Sequence, residues 1–152
     1  TIARNIALGE EYIDQKRLIR AVKIAQIERF IDRLPKGSGT IIVEAGAGLS
    51  KGQQQRLLIA RAIYHQPKYL FLDEATTGLN AFTEVTIMDE LFEYMEGATI
   101  MIVAHRHSTF ERADHIIVIN DGEIVEQGSH RELMESRSNY FRLVRNQTLL
   151  GN

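Results

Sequence analysis

A chain of 152 residues, 44% hydrophobic and 25% charged, has room for one ordinary globular domain and is too apolar to be disordered. A formal net charge of -2 and a pI near 6.2, with Lys and Arg scattered among Asp and Glu, leave no basic footprint, so nucleic acid is not expected as a partner. Without cysteine there is no disulfide or thiolate metal site, which suits a reducing compartment such as cytoplasm, and no apolar run approaches the ~20 residues that span a bilayer.

The opening, Thr1-Ile-Ala-Arg-Asn-Ile, lacks the layout of a signal peptide and reads as sequence taken from the middle of a domain, so a fragment is expected. From Glu11 to Leu34, Ile13, Leu18, Ile19, Val22, Ala25, Phe30 and Leu34 recur mostly at three- to five-residue steps; this spacing predicts amphipathic helix, broken at most once, up to Pro35. Lys36-Gly-Ser-Gly-Thr40 then forms a turn. Its Gly, Lys and Ser mimic a phosphate loop, but in the wrong order and with no buried strand before it; no Gly-x-x-x-x-Gly-Lys-Ser/Thr occurs anywhere in the chain.

Ser50 to His65 reads as a helix with Ser50 as N-cap, ended by Pro67, which should hold Gln66 extended. Lys68 to Leu72 is a short apolar strand. Thr83 to Glu96 is a second helix, with Val85, Met88, Phe92 and Met95 expected to face the core and Gly97 to stop it. Thr99 to Val103 is a strand, and Asn120-Asp121-Gly122 between His115–Ile119 and Glu123–Glu126 signals a hairpin. Ser129-His-Arg-Glu132 matches a capping box opening a last helix that continues through Tyr140, Phe141 and Val144. The fold class is therefore α/β: a helical part, about residues 10–66, and then, over about 67–152, a mainly parallel sheet with helices and a C-terminal antiparallel hairpin.

Two segments carry chemistry. Asp73 and Glu74 end the apolar strand Tyr69-Leu-Phe-Leu72, and open α/β sheets bind ligands at the C-terminal ends of their strands. Asp73 can hold Mg²⁺ through water, and Glu74 can orient a water for attack on a phosphoryl group. A lone Asp-Glu pair would serve equally well as a cap for Ala75 onward. The second segment, Leu49-Ser-Lys-Gly-Gln53, opens a helix where unpaired N–H groups and the macrodipole favour anions; Ser50 adds a hydroxyl and Gly52 permits close approach. In isolation it, too, is an ordinary N-cap after a glycine turn.

Taken in order, Gly48-Leu-Ser-Lys-Gly-Gln-Gln-Gln-Arg56 and Tyr69-Leu-Phe-Leu-Asp-Glu74 closely resemble the nucleotide-binding domain of ATP-binding cassette proteins, which are P-loop NTPases. The resemblance implies that Leu49–Gln53 is the signature motif, Tyr69–Asp73 the Walker B strand, Glu74 the catalytic base, Thr77-Gly-Leu-Asn80 the D-loop and His105 the switch histidine that meets the γ-phosphate. Thr1–Gly9 resembles the stretch after the Q-loop in exporters. Glu44-Ala-Gly-Ala-Gly48 resembles the exporter segment before the signature, and Asp121–His130 the closing hairpin. Two positions depart from the family pattern: Lys51 replaces a signature glycine, and Asn80 stands where the D-loop has Asp.

The resemblance implies an exporter ATPase subunit, of the kind that serves peptide or protein secretion, on the cytoplasmic side of a membrane. Its implied cofactors are ATP and Mg²⁺; its implied partners are a transmembrane domain and a second nucleotide-binding domain, identical or different. Ser50, Lys51, Gly52 and Gln53 would serve a triphosphate held opposite, and Asp73, Glu74 and His105 one held on their own side. Lacking the phosphate loop and the Q-loop glutamine, the chain alone is expected to be inactive. With the phosphate-loop strand missing between Val103 and His115, a gapped or altered sheet is expected, with lower stability and a tendency to associate. The rival expectations are a non-enzymatic truncated module that docks on a transporter and, less compatible with this charge, a soluble cassette protein of DNA repair or translation.

Overall fold

The computed structural model describes residues 1–42, 48–103 and 107–149, with the backbone alone for 107–108 and 147–149. The chain packs as two units, with the boundary between Ile102 and Val103.

In the first unit, α1 (Ile2–Ile6), α2 (Gln15–Ile24) and α4 (Lys51–Tyr64) pack together, with α3 (Glu28–Asp32) beside α2. Helix α2 starts where Asp14 Oδ1 accepts from the amides of Lys16 and Arg17. The expected break in Glu11–Leu34 falls at Ala25–Ile27. There Gln26 turns left-handed at φ +53, and its amide and that of Ile27 donate to Lys23 and Val22 carbonyls, a Schellman closure that hides Ile27 completely. The decoy turn is a 3₁₀ turn over Gly37–Gly39, and Thr40 beyond it accepts a hydrogen bond from the Ile2 amide.

Helix α4 buries Leu57, Ile59, Ala60, Ile63 and Tyr64. Gln66, expected to be extended, instead has φ +47 and donates from its amide to Ile63. The helix closes through a left-handed residue, and since Pro67 next in line has no N–H, only one of the two closing hydrogen bonds forms. The strand β1 (Tyr69–Asp73), the helix α5 (Ala81–Tyr94) and the strand β2 (Thr99–Val103) make one β-α-β unit with β1 and β2 paired in parallel. The core stripe of α5 is Glu84, Ile87, Met88 and Leu91, extended by Met95, while Val85 is exposed. Of the expected face, Met88 and Met95 are buried and Phe92 packs against the core; only Val85 departs, since 3.6 residues per turn sets it about 100° from Glu84. Ile19 on α2 is likewise exposed.

In the second unit, β3 (Ile116–Asn120) pairs antiparallel with β4 (Glu123–Gly128) across Asp121-Gly122, both at positive φ as a two-residue hairpin turn requires. A bulge after Val118 leaves Val125 as the extra residue. Among the described residues the strands form two separate two-stranded sheets. The single last helix expected after Ser129 is two: α7 (His130–Ser136) stops at Arg137, left-handed at φ +51, and α8 (Asn139–Leu149) starts anew. The restart has a cause in β4, where the Glu126 carboxylate accepts from the amides of Asn139 at 2.6 Å and Tyr140 at 2.9 Å. Ile116, Val118, Leu133, Tyr140 and Val144 form this unit's own small core, beneath α6 (His107–Phe110).

Candidate nucleotide site

The start of α4 is built by a reciprocal cap. Ser50 Oγ accepts from the Gln53 amide at 3.2 Å, and the Gln53 side-chain oxygen accepts from the Ser50 amide at 2.8 Å. Helical hydrogen bonding begins with Gln54 N–H to Ser50 C=O, so the amides of Lys51 and Gly52 have no acceptor within the helix. Ser50 still has its own O–H to give and Gln53 its NH₂ group, and both the helix end and the Lys51 side chain are positive. This arrangement can hold an anion.

Asp73 is the last residue of β1, exposed at its C-terminal end. Glu74 comes next at φ +46. Left-handed backbone is unfavourable for a residue with a long side chain, and such strain is retained where the surrounding structure imposes it, as at catalytic and ligand-clamping positions. Two tight turns succeed it, from the Thr77 amide to Glu74 C=O and from the Leu79 amide to Thr76 C=O, both 3.0 Å. Asn80 then caps α5, its side-chain oxygen accepting from the Thr83 amide at 2.9 Å. Asn and Asp cap equally well, so Asn in place of Asp keeps the helix start and removes only the charge.

The loop that leaves Glu74 lies against the start of α4. A Cβ added to Gly52 would stand 3.4 Å from Leu79 Cδ2 and 3.6 Å from Gly78 O; one added to Gly78 would stand 3.4 Å from Gln55 Oε1 and 3.7 Å from Lys51 Cδ. The stem of Lys51 therefore lies over Gly78. Ser50, Lys51, Gly52 and Gln53 are thus joined through this loop to the segment that Asp73 and Glu74 begin. His105 lies outside the described residues, as does most of the Glu44–Gly48 stretch.

Sequence reasoning had missed the cap at Asn80, which the pattern Asn-x-x-Thr83 could have indicated, and the side chains that brace α4 from behind. Arg56 Nη1 donates to Gln26 C=O at 2.7 Å and its Nε to Gly52 C=O at 3.2 Å, while Gln26 Nε2 donates to Glu90 Oε1 at 3.0 Å. Burial lowers the Arg56 pKa from its ordinary value.

The family profile described as "ABC transporter" matches residues 2–77. The leukotoxin translocation ATP-binding protein LktB of Mannheimia glucosida is 45% identical over 141 residues, which is 93% of this chain and 20% of that protein. The multidrug resistance protein pgp-1 of Caenorhabditis elegans is 45% identical over 148 residues, 97% of this chain and 11% of its own length. A solved bacterial Atm1-family ABC exporter with ATP bound matches at a TM-score of 0.89 and 37% identity, over 97% of this chain and 26% of the other. The chain spans about a fifth or less of the length of these two relatives.

Proposed function

The chain belongs to the ABC transporter family, and from that premise we propose that it is part of the ATP-hydrolysing subunit of an exporter, coupling ATP binding and hydrolysis to transport across a membrane. The observation that carries this reading is Glu74, held left-handed at the end of β1 by a loop that seats against the anion-ready start of α4.

In this reading the helical part, about residues 10–66, and the α/β part, about 67–152, are two lobes of a nucleotide-binding domain that closes on a second such domain, identical or different. Ser50 and Gln53 donate to the triphosphate held by the partner domain, Gly52 offers its amide while its missing side chain leaves room for Leu79, and Lys51 adds a positive charge. On the chain's own side, Glu74 orients a water in line with the γ-phosphorus and accepts its proton, and His105 takes the γ-phosphate contact. A single exposed carboxylate, Asp73, fits Mg²⁺ that keeps most of its water; among the described residues no group of three or more His, Asp or Glu forms a closed cage. The ion, when bound, neutralises charge on the phosphates.

No helix among the described residues is long and apolar enough to cross a membrane. The proposed location is the cytoplasmic face of a membrane, beside a transmembrane partner. Cargo selection belongs to that partner: relatives named for leukotoxin translocation and for multidrug resistance share the same 45% identity with this chain.

The test is ATP hydrolysis by the chain extended upstream through a phosphate loop, with the 152-residue chain expected to be inactive alone. Glu74→Gln should lower turnover about 10²- to 10⁴-fold, the range for a general base. Equal turnover in the two proteins would remove Glu74 from this role.

A further inference from the structure

The geometry points to Arg56 as a positioning residue, which together with Gln26 and Glu90 braces the phosphate-facing start of α4 against the helix that succeeds the strand-end loop. This inference rests on the function proposed above.

Gln26 is the left-handed residue that closes α2, a place glycine would occupy without strain. Its carbonyl receives Arg56 Nη1 at 2.7 Å, and its side-chain amide reaches both Lys23 C=O at 3.3 Å and Glu90 Oε1 at 3.0 Å. Arg56 Nε meanwhile holds Gly52 C=O in the first turn of α4 at 3.2 Å. One guanidinium therefore spans from the second residue of α4 to the corner of α2, and one amide continues from that corner to α5.

At its other end α5 is entered through Asn80, from the loop whose Gly78 and Leu79 lie against Gly52. The contacts close a ring: Gly52, Arg56, Gln26, Glu90, along α5, back through Asn80 and Leu79 to Gly52. With α4 tied to the Gly78–Leu79 loop at one point and, through Gln26, to α5 at another, its first turn is held in the orientation that faces phosphate. Only a fork supplies both Arg56 bonds; the ammonium of lysine is a single point of donation.

In the ATP-hydrolysing, upstream-extended chain, Arg56→Lys should raise KM for ATP about tenfold and Glu90→Ala about threefold, the scale of one charge-assisted hydrogen bond lost, with kcat within about twofold. Glu90→Gln keeps an acceptor for Gln26 Nε2 and should retain the parent KM. The double variant Arg56→Lys, Glu90→Ala should be no worse than Arg56→Lys alone, since both break one ring. Unchanged KM in the two single variants, additive losses, or equal losses in Glu90→Ala and Glu90→Gln would overturn the brace. If Arg56→Lys does not fold, the two Glu90 variants decide. Full turnover in Glu74→Gln would instead overturn the functional reading, whatever the Glu90 variants do.

Discussion

The chain uses the same local device twice. Ser50 heads α4 and Ser129 heads α7, each serine capping the amide three residues on while that residue's side chain caps the serine's amide. The difference lies in the returning side chain. Gln53 is neutral and leaves the positive end of α4 uncompensated; Glu132 brings a carboxylate that accepts from the Ser129 amide at 2.8 Å and its hydroxyl at 2.7 Å. Those two bonds hold the Glu132 carboxyl below its ordinary pKa, and it occupies the place an external anion would take. The surroundings diverge as well: α4 starts under the loop from Glu74, whereas α7 starts against Gly128 at the end of the hairpin. A capping box is thus a structural element at one place and half of a binding site at the other, depending on one charge and on what the fold sets beside it.

Converting the first box into the second is the sharpest way to break that comparison. Gln53→Glu should keep the cap and the fold but weaken ATP binding by the extended chain about tenfold, through like-charge repulsion of the triphosphate. Calorimetric titration with ATP reads it directly, and undiminished affinity would mean that the start of α4 does not face phosphate. Removing the hydroxyls separates stability from binding: Ser50→Ala and Ser129→Ala should each cost about 1 kcal/mol in denaturant unfolding. Only Ser50→Ala should also weaken ATP binding, and equal effects of the two on affinity would dissolve the distinction.

The smallest expected effect is on pH. Glu126, hydrogen-bonded by the Ser138 hydroxyl and then by the Tyr140 and Asn139 amides, and Glu132 are both held below the ordinary glutamate value of 4.5. Depressed carboxyls bind fewer protons folded than unfolded. Their contribution is therefore complete above about pH 4.5 and is lost as pH falls through the lower folded values. Resonances of α7, α8 and the hairpin should weaken before those of α4 on acidification, and Glu126→Gln should flatten part of that dependence. Simultaneous loss in both units would count against it.

Much of the site could be read from the residues because its parts are local. Ser50 with Gln53, Ser129 with Glu132 and Asp121-Gly122 act on amides and dihedrals within four residues, and the order of motifs from Gly48 to Asn80 needs no geometry at all. What was misread involves choices that neighbours elsewhere make. Gln66 turns left-handed although Pro67 favours extended backbone before it, because closing α4 outweighs that preference. Val85 yields the core to Ile87 because the packing partners of α5 select the stripe. Helix α7 ends at Arg137 because a carboxylate from β4 starts α8 afresh at Asn139.

On its own, then, the amino-acid order determined where α4 and α7 begin, where the hairpin turns and which short segments resemble a nucleotide site, since these depend on interactions a few bonds apart. Tertiary structure alone decided that Glu74 is held left-handed, that Gly78 and Leu79 come to rest on Gly52, and that Arg56 and Gln26 meet across 30 residues and Gln26 and Glu90 across 64. Contacts over such separations depend on how whole helices pack, and no short window of sequence carries that information.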